Sequence, residues 1–112
     1  MRNPKDEEKL GKLKKAFGDA LFEKLEVVAA DLLDAESLDR AIEGQDVVVH
    51  VASPIPVNPP ADENELIRPA VEGTLAVLRA AQKHKVKRVV ITSSGLSIFV
   101  QKPENFKELY TD

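Results

Sequence analysis

The sequence has 112 residues, of which 43% are hydrophobic and 31% charged, and its formal net charge is −3. These values are typical of a globular protein, and a chain without excess basic charge is not expected to bind nucleic acid. The absence of cysteine excludes disulfides and thiolate chemistry. No apolar run is long enough to span a membrane. We therefore expect a cytoplasmic protein with one domain, over residues 1–112.

Three stretches carry apolar residues at helical spacing. They are residues 4–17, Ala35–Glu43 and approximately Asp62–His84. Asn3 and Asp34 are the predicted N-caps of the first two helices, and Gly44 is predicted to end the second. In the third, Gly73 predicts a close approach of another backbone, because an interior glycine costs a helix about 1 kcal/mol relative to alanine.

Three apolar runs between these helices predict strands, over Leu25–Ala30, Asp46–Val51 and Arg88–Thr92. The last two are rich in β-branched residues without alternation, which is typical of strands buried on both faces. His50 lies inside the central strand, where we interpret it as a core histidine with a hydrogen-bond partner. Strands that alternate with helices predict an α/β fold with a parallel sheet, here of three strands.

Small residues come directly after two of the predicted strands, Ala52 and Ser53 after the central one and Ser93 and Ser94 after the last. Ligands of open α/β sheets bind outside the carboxyl ends of the strands. Ser93 and Ser94 are therefore candidates for a catalytic hydroxyl or for cofactor contacts, unless they only terminate the strand by bonding nearby backbone. Asp31, at the end of the first run, either binds a nucleotide or caps the segment after it.

Other candidate residues are weaker. His84 lies among lysines at a helix C-terminus, where the dipole favours positive charge, and we interpret this cluster as a solvated face. Tyr110, the only tyrosine, is interpreted as inert. The five glycines form no Gly-x-Gly-x-x-Gly turn, so the sequence predicts no pyrophosphate cradle of that kind.

Five motifs together resemble one known family. In chain order they are Arg2–Pro4, Ala30–Leu32, Asp46–Pro54, Glu65–Leu75 and Arg88–Ser94. The chain resembles the extended short-chain dehydrogenase/reductases, or NAD-dependent epimerase/dehydratase family, and most closely the dihydroflavonol and cinnamoyl-CoA reductases. The resemblance implies the central part of a Rossmann-like, doubly wound sheet. The family's first two strands, its glycine-rich turn and its Tyr-x-x-x-Lys pair have no counterpart in this sequence.

The resemblance implies an adenosine end of a cofactor site. Arg2, assisted by Lys9, matches the basic residues that bind the 2′-phosphate, which implies NADP rather than NAD because guanidinium binds phosphate through two donors. Asp31 and Leu32 match the pair at the adenine edge. We expect these four residues to lie at one end of the site.

The resemblance also implies a reacting end. Ala52 and Ser53 match residues that line the ribose and nicotinamide, and Ser94 matches the catalytic serine that bonds a substrate carbonyl. The implied activity is that of an oxidoreductase for a small carbonyl or alcohol substrate. The helix over residues 62–84 matches one through which family members form homo-oligomers.

Two other interpretations stay open. A truncated, non-catalytic paralogue could serve as a binding or oligomerisation module. A receiver-like phosphoacceptor would use Asp31, although the acidic pair and lysine of that fold are not visible. In the family's strand order, Leu25–Ala30 and Asp46–Val51 are not neighbours. We therefore expect either closure of these two runs upon each other or open edges that invite association.

Overall fold

The computed structural model describes residues 1–55, 58 and 60–95, so Tyr110 and the rest of the tail lie outside the described residues. The elements in chain order are α1 (Glu7–Phe17), α2 (Asp19–Phe22), α3 (Ala35–Ile42), β1 (Val47–His50), α4 (Asn64–Lys83) and β2 (Arg88–Ile91). The short α2 was not predicted. The alternation of α3, β1, α4 and β2 confirms the α/β class.

The strands β1 and β2 form a parallel pair, in which Val47 faces Arg88 and His50 faces Ile91. The Thr92 N–H donates to the His50 carbonyl at 3.1 Å, which extends the pairing beyond the last paired residues. Parallel neighbours need a crossover connection, and α4 lies in that connection. The predicted βαβ unit is therefore present between residues 47 and 91.

The described residues form two strands where the sequence pattern predicted three. The run Leu25–Ala30 is not a strand. Its backbone bonds with Met1, whose ammonium donates to the Val28 carbonyl at 2.7 Å and whose carbonyl accepts from the Ala30 N–H at 3.0 Å. An apolar run becomes a strand only when a neighbour completes its ladder, and one residue does not provide that.

An open cleft of about 580 Å³ separates the run at residues 25–28 from β1. Apolar and charged side chains from both sides line it, among them Leu25, Glu26, Arg40 and Val48. The closure that we considered from the sequence therefore does not occur. The edge of β1 opposite β2 has no strand partner within the described part of the chain.

The helices α3 and α4 cover one face of the sheet. The buried core consists of Leu38 and Ile42 from α3 and Val77, Ala80 and Ala81 from α4. The predicted burial of both strand faces is wrong here, because no described helix covers the second face. Its side chains stay in solvent, with Val49 in β1 62% and Val90 in β2 44% exposed.

The buried face of α4 overlaps only in part with the stripe that helical spacing predicts, which consists of Ile67, Ala70, Val71, Thr74, Leu75, Leu78 and Ala81. Of these, Ala81 is buried, whereas Ile67, Val71, Leu75 and Leu78 are 39–51% exposed. The other buried residues of α4 are Gly73, Val77 and Ala80. None of the helices in the described ranges is long and apolar enough to cross a membrane.

The two N-cap predictions had different outcomes. Asp34 caps α3 as expected, and its carboxylate accepts the N–H of Ser37 at 3.1 Å. The cap of α1 is Asp6 rather than Asn3, because Asp6 accepts the backbone N–H of Lys9. The Asn3 side-chain oxygen accepts the N–H two residues further on, at 3.0 Å, which forms a local turn before the helix.

Candidate functional site

The carboxyl ends of β1 and β2 bring two predicted pairs of small residues to the same edge of the sheet. His50 pairs with Ile91, so Ser53 and Ser94 each lie three positions beyond the paired residue of their strand. Ala52, Ser53, Ser93 and Ser94 are all exposed. The parallel register thus places the predicted reacting end where ligands of open α/β sheets bind.

The loop after residue 30 is packed directly on α4. A Cβ atom at Gly73 would lie 2.8 Å from Leu32 Cδ2, 2.9 Å from Leu32 Cβ and 3.2 Å from its carbonyl oxygen. The predicted close approach at Gly73 is confirmed, and Leu32, one of the predicted cofactor residues, is the group that approaches. Because Gly73 has no side chain, the loop can pack this closely against α4.

Asp31 is fixed by hydrogen bonds with the start of α3. Its carboxylate Oδ1 accepts the Leu33 N–H at 2.9 Å, and its own N–H donates to Ser37 Oγ at 3.0 Å. Ser37 in turn donates to the Asp34 carbonyl at 2.7 Å, and is only 4% exposed. Sequence reasoning missed Ser37, although a serine on the buried face of a helix needs a partner and was a usable signal.

Arg2 and Asp31, two predicted cofactor residues, form an ion pair. Arg2 Nε lies 3.0 Å from Asp31 Oδ2, with the two side chains 84% and 30% exposed. The adjacent Met1 holds the backbone of Arg2 close to Asp31 through its bonds to Val28 and Ala30. The sequence predicted both residues for one end of the site, and not that they contact each other.

Lys9, another predicted cofactor residue, forms its ion pair with Asp6. It lies in the first turn of α1, and its Nζ is 3.4 Å from the carboxylate of Asp6. The hydrogen bond from the Lys9 backbone N–H is the main reason that the pKa of Asp6 lies below its usual value. Within the described residues, the salt bridge of Lys9 is thus with Asp6 rather than with Asp31.

The two histidines differ from each other in their surroundings. His50 is 7% exposed, and its Nε2 lies 3.3 Å from Thr74 Oγ1, which confirms a core histidine with a partner. We expected His84 to lie on a solvated face, and this is wrong. Its side chain is only 14% exposed, and its Nε2 lies 3.0 Å from Asp39 Oδ1. No group of three or more metal-ligating side chains occurs among the described residues.

Asp39 joins α3 to the end of α4. Lys83 Nζ lies 2.7 Å from its Oδ2, beside the contact with His84. The hydrogen bond from Lys83, followed by that from His84, holds the pKa of Asp39 below its usual value. This cluster lies away from the predicted cofactor residues and serves the packing of the two helices.

Comparison with known proteins gives one family match. The profile of the 3-beta hydroxysteroid dehydrogenase/isomerase family matches residues 5–108. This range covers most of the chain, including β1, β2 and the helices around them. The match agrees with the resemblance that the five sequence motifs indicate.

Individual relatives are reductases by name. The chain is 43% identical over 102 residues to tetraketide alpha-pyrone reductase 1 of Arabidopsis thaliana, which covers 90% of the chain and 31% of that protein. It is 45% identical over 100 residues to cinnamoyl-CoA reductase 1 of Petunia hybrida, covering 89% and 28%. It is 42% identical over 84 residues to the bifunctional dihydroflavonol 4-reductase/flavanone 4-reductase of Malus domestica, covering 74% and 24%. The chain thus spans less than a third of each relative.

Proposed function

Because the chain belongs to the 3-beta hydroxysteroid dehydrogenase/isomerase family, we propose that it forms the central part of a cofactor-binding domain in an NADP-dependent oxidoreductase. The substrate is a small molecule with a carbonyl or alcohol group. The observation that carries this proposal is the register of β1 and β2, which brings Ser53 and Ser94 to one edge of the sheet. The names of the relatives support a reductase.

The sheet in this proposal is the Rossmann-like, doubly wound type. In its strand order, two further strands lie between the run at residues 25–30 and β1. The cleft of about 580 Å³ lies at this place, and both of its sides carry apolar side chains among charged ones. The bonds of Met1 to Val28 and Ala30 support the same arrangement, because they are those of a residue in a parallel neighbour of this run.

The residues present fit a dinucleotide at two places. Arg2 supplies guanidinium donors that suit a 2′-phosphate, assisted by Lys9. Asp31, which lies beside Arg2, and Leu32 are the proposed contacts of the adenine edge. Ala52, Ser53 and Ser93 are small, exposed residues that leave room for a ribose and a nicotinamide.

NADPH would supply the hydride when it is bound. The role of Ser94 is to donate a hydrogen bond from its hydroxyl to the substrate oxygen, on which negative charge develops as hydride reaches the carbonyl carbon. A preformed donor aimed at such an oxygen typically contributes about 10²- to 10³-fold in rate. The proton acceptor and donor of the family, a Tyr-x-x-x-Lys pair, has no counterpart in this sequence, and we expect the chain alone to be inactive.

Replacement of the matching segment of Petunia cinnamoyl-CoA reductase 1 by residues 1–94 of this chain tests the proposal. We expect the chimaera to reduce its substrate with NADPH, and Ser94→Ala to lower kcat by about 10²- to 10³-fold. Ser94→Thr keeps the hydroxyl and serves as the matched control. A folded chimaera that reduces the substrate equally well with alanine at position 94 contradicts the role of Ser94.

A second candidate function is that of a non-catalytic oligomerisation module. It is favoured by the exposed apolar stripe of α4, which we define as Ile67, Val71, Leu75 and Leu78. The stripe lies beside the face of α4 that contacts the core, so a second copy could cover it without disturbing that packing. Self-association through this stripe is compatible with either function.

A further inference from the structure

The ion pair between Arg2 and Asp31 is made at one side of the guanidinium. Asp31 Oδ2 lies 3.0 Å from Nε of Arg2, the nitrogen nearest the aliphatic part of the side chain. A guanidinium binds phosphate through a pair of N–H donors. We infer that Asp31 is a positioning residue, which holds Arg2 so that its terminal nitrogens face the 2′-phosphate of NADP. This inference rests on the proposed function.

Asp31 can act in this way because it is itself held in place. Its Oδ1 accepts the Leu33 N–H at 2.9 Å, and its N–H donates to the buried Ser37 hydroxyl at 3.0 Å. Ser37 is anchored in turn at the carbonyl of Asp34, the N-cap of α3. The position of the Asp31 carboxylate is therefore set by the start of α3 before any ligand binds.

Arg2 needs such a partner because its side chain is 84% exposed. A long arginine side chain in solvent populates many rotamers, and a ligand that binds it must restrict them. The backbone is already tied at Met1, through Val28 and Ala30. Asp31 restricts the guanidinium end of the Arg2 side chain, so that less conformational freedom is lost when a phosphate binds.

The carboxylate of Asp31 also repels a phosphate, which opposes the ordering effect. A phosphate on the terminal nitrogens lies farther from Asp31 than the charge of Arg2 does. The screening length at 0.15 M salt is about 8 Å, so salt weakens this repulsion only in part. We expect the ordering of Arg2 to outweigh the repulsion that remains, and the affinity of Asp31→Asn measures the balance.

The test compares two nucleotides that differ only in the 2′-phosphate, 2′,5′-ADP and 5′-AMP, titrated into the whole chain at 0.15 M salt. We expect Asp31→Asn to weaken binding of 2′,5′-ADP by about 2- to 10-fold, the range for one side chain that must be ordered on binding. Binding of 5′-AMP should change less. The ¹⁵Nε–¹H signal of Arg2 should show greater mobility in Asp31→Asn than in the wild type.

Two controls separate positioning from other effects. Glu36→Gln removes the same charge from the first turn of α3, where Glu36 is 3.8 Å from Arg40 and not paired with Arg2, and should leave both affinities unchanged. In an Arg2→Ala background, Asp31→Asn should have no further effect on the preference for 2′,5′-ADP, because a residue that acts through Arg2 has nothing left to position.

The outcomes also separate this inference from the proposed cofactor. Equal or tighter binding of 2′,5′-ADP by Asp31→Asn overturns the positioning role and leaves NADP in place. An equal loss for both nucleotides leaves Asp31 with its adenine contact alone, which likewise overturns the positioning role. If the wild-type chain does not prefer 2′,5′-ADP to 5′-AMP, the proposed NADP site fails, and the inference fails with it.

Discussion

Two glycines inside helices show how far the environment of a single residue decides its role. Gly11 lies in α1, and a Cβ atom there would meet nothing within 4 Å. Gly73 lies in α4, where a Cβ atom would come within 2.9 Å of Leu32 Cβ. Both residues carry the same intrinsic cost in a helix, about 1 kcal/mol relative to alanine. Only at Gly73 would a larger residue collide with a neighbour, so only there does the fold require glycine.

Substitution of each glycine by alanine should therefore have opposite effects on the free energy of unfolding. Gly11→Ala should raise it by about 0.5–1 kcal/mol through helix propensity. Gly73→Ala should lower it, because overpacking typically costs about 1–3 kcal/mol and exceeds the gain in propensity. Urea unfolding of the two variants measures the difference, and equal stabilisation by both would show that Leu32 does not pack against α4.

At the scale of elements, one carboxylate adds charged contacts between α3 and the end of α4 to their apolar packing. Asp39 accepts from Lys83 at 2.7 Å and contacts His84 at 3.0 Å. These two contacts, Lys83 first, hold the pKa of Asp39 below its ordinary value of 3.8. Because the pKa is lower in the folded chain, the contacts add stability above that value, and the contribution is lost as the pH falls through the folded-state pKa.

Asp39→Asn should therefore destabilise the chain at pH 7, and the difference from the wild type should diminish as the pH falls below 3.8. Urea midpoints over a series of pH values measure this. Asp46→Asn is the matched control, because its pair with Lys87 at 2.8 Å is largely exposed on both sides and such pairs contribute little. A difference between wild type and Asp39→Asn that persists at low pH would contradict the ionic role of Asp39.

The exposed apolar stripe of α4 is a candidate contact between two copies of the chain. If a second copy covers it, Val71→Asp should lower the fraction of dimer in sedimentation experiments, because the change places a charge in an apolar contact. Arg79→Gln changes the net charge equally at a residue of the same helix that borders α3, beside Ala35 and Asp39, and should leave the dimer intact. A wild-type chain that stays monomeric at high concentration would contradict a contact between copies at this stripe.

At the scale of the whole molecule, the sequence predicted the elements that depend on local signals. Asp34 and Gly44 mark α3 because caps act on the adjacent backbone, and the β-branched run marks β1 wherever its partner lies. The run at residues 25–30 has the same apolar character and forms no strand, because a strand also needs a neighbour. Local signals therefore fix what a segment can form, and the neighbours decide whether it does.

The candidate site could be predicted as a set of residues and not as a set of contacts. Arg2 and Asp31 were both expected at the adenosine end, yet their ion pair joins residues far apart in sequence and depends on the whole loop between them. The pairing of His84 with Asp39 also joins residues far apart in sequence, and it was missed. The lysines beside His84 suggested an exposed surface instead. Ser37 was missed because its partners become evident only with α3 in place.

The cofactor preference of Arg2 is the most direct test of an NADP-dependent oxidoreductase. In the chimaera with Petunia cinnamoyl-CoA reductase 1, Arg2→Ala should raise the KM for NADPH and leave the KM for NADH nearly unchanged. The expected rise is at least about tenfold, because hydrogen bonds to charged groups contribute about 1.5–3 kcal/mol. If the KM values for NADPH and NADH change equally, or neither changes, the proposed 2′-phosphate site at Arg2 is wrong.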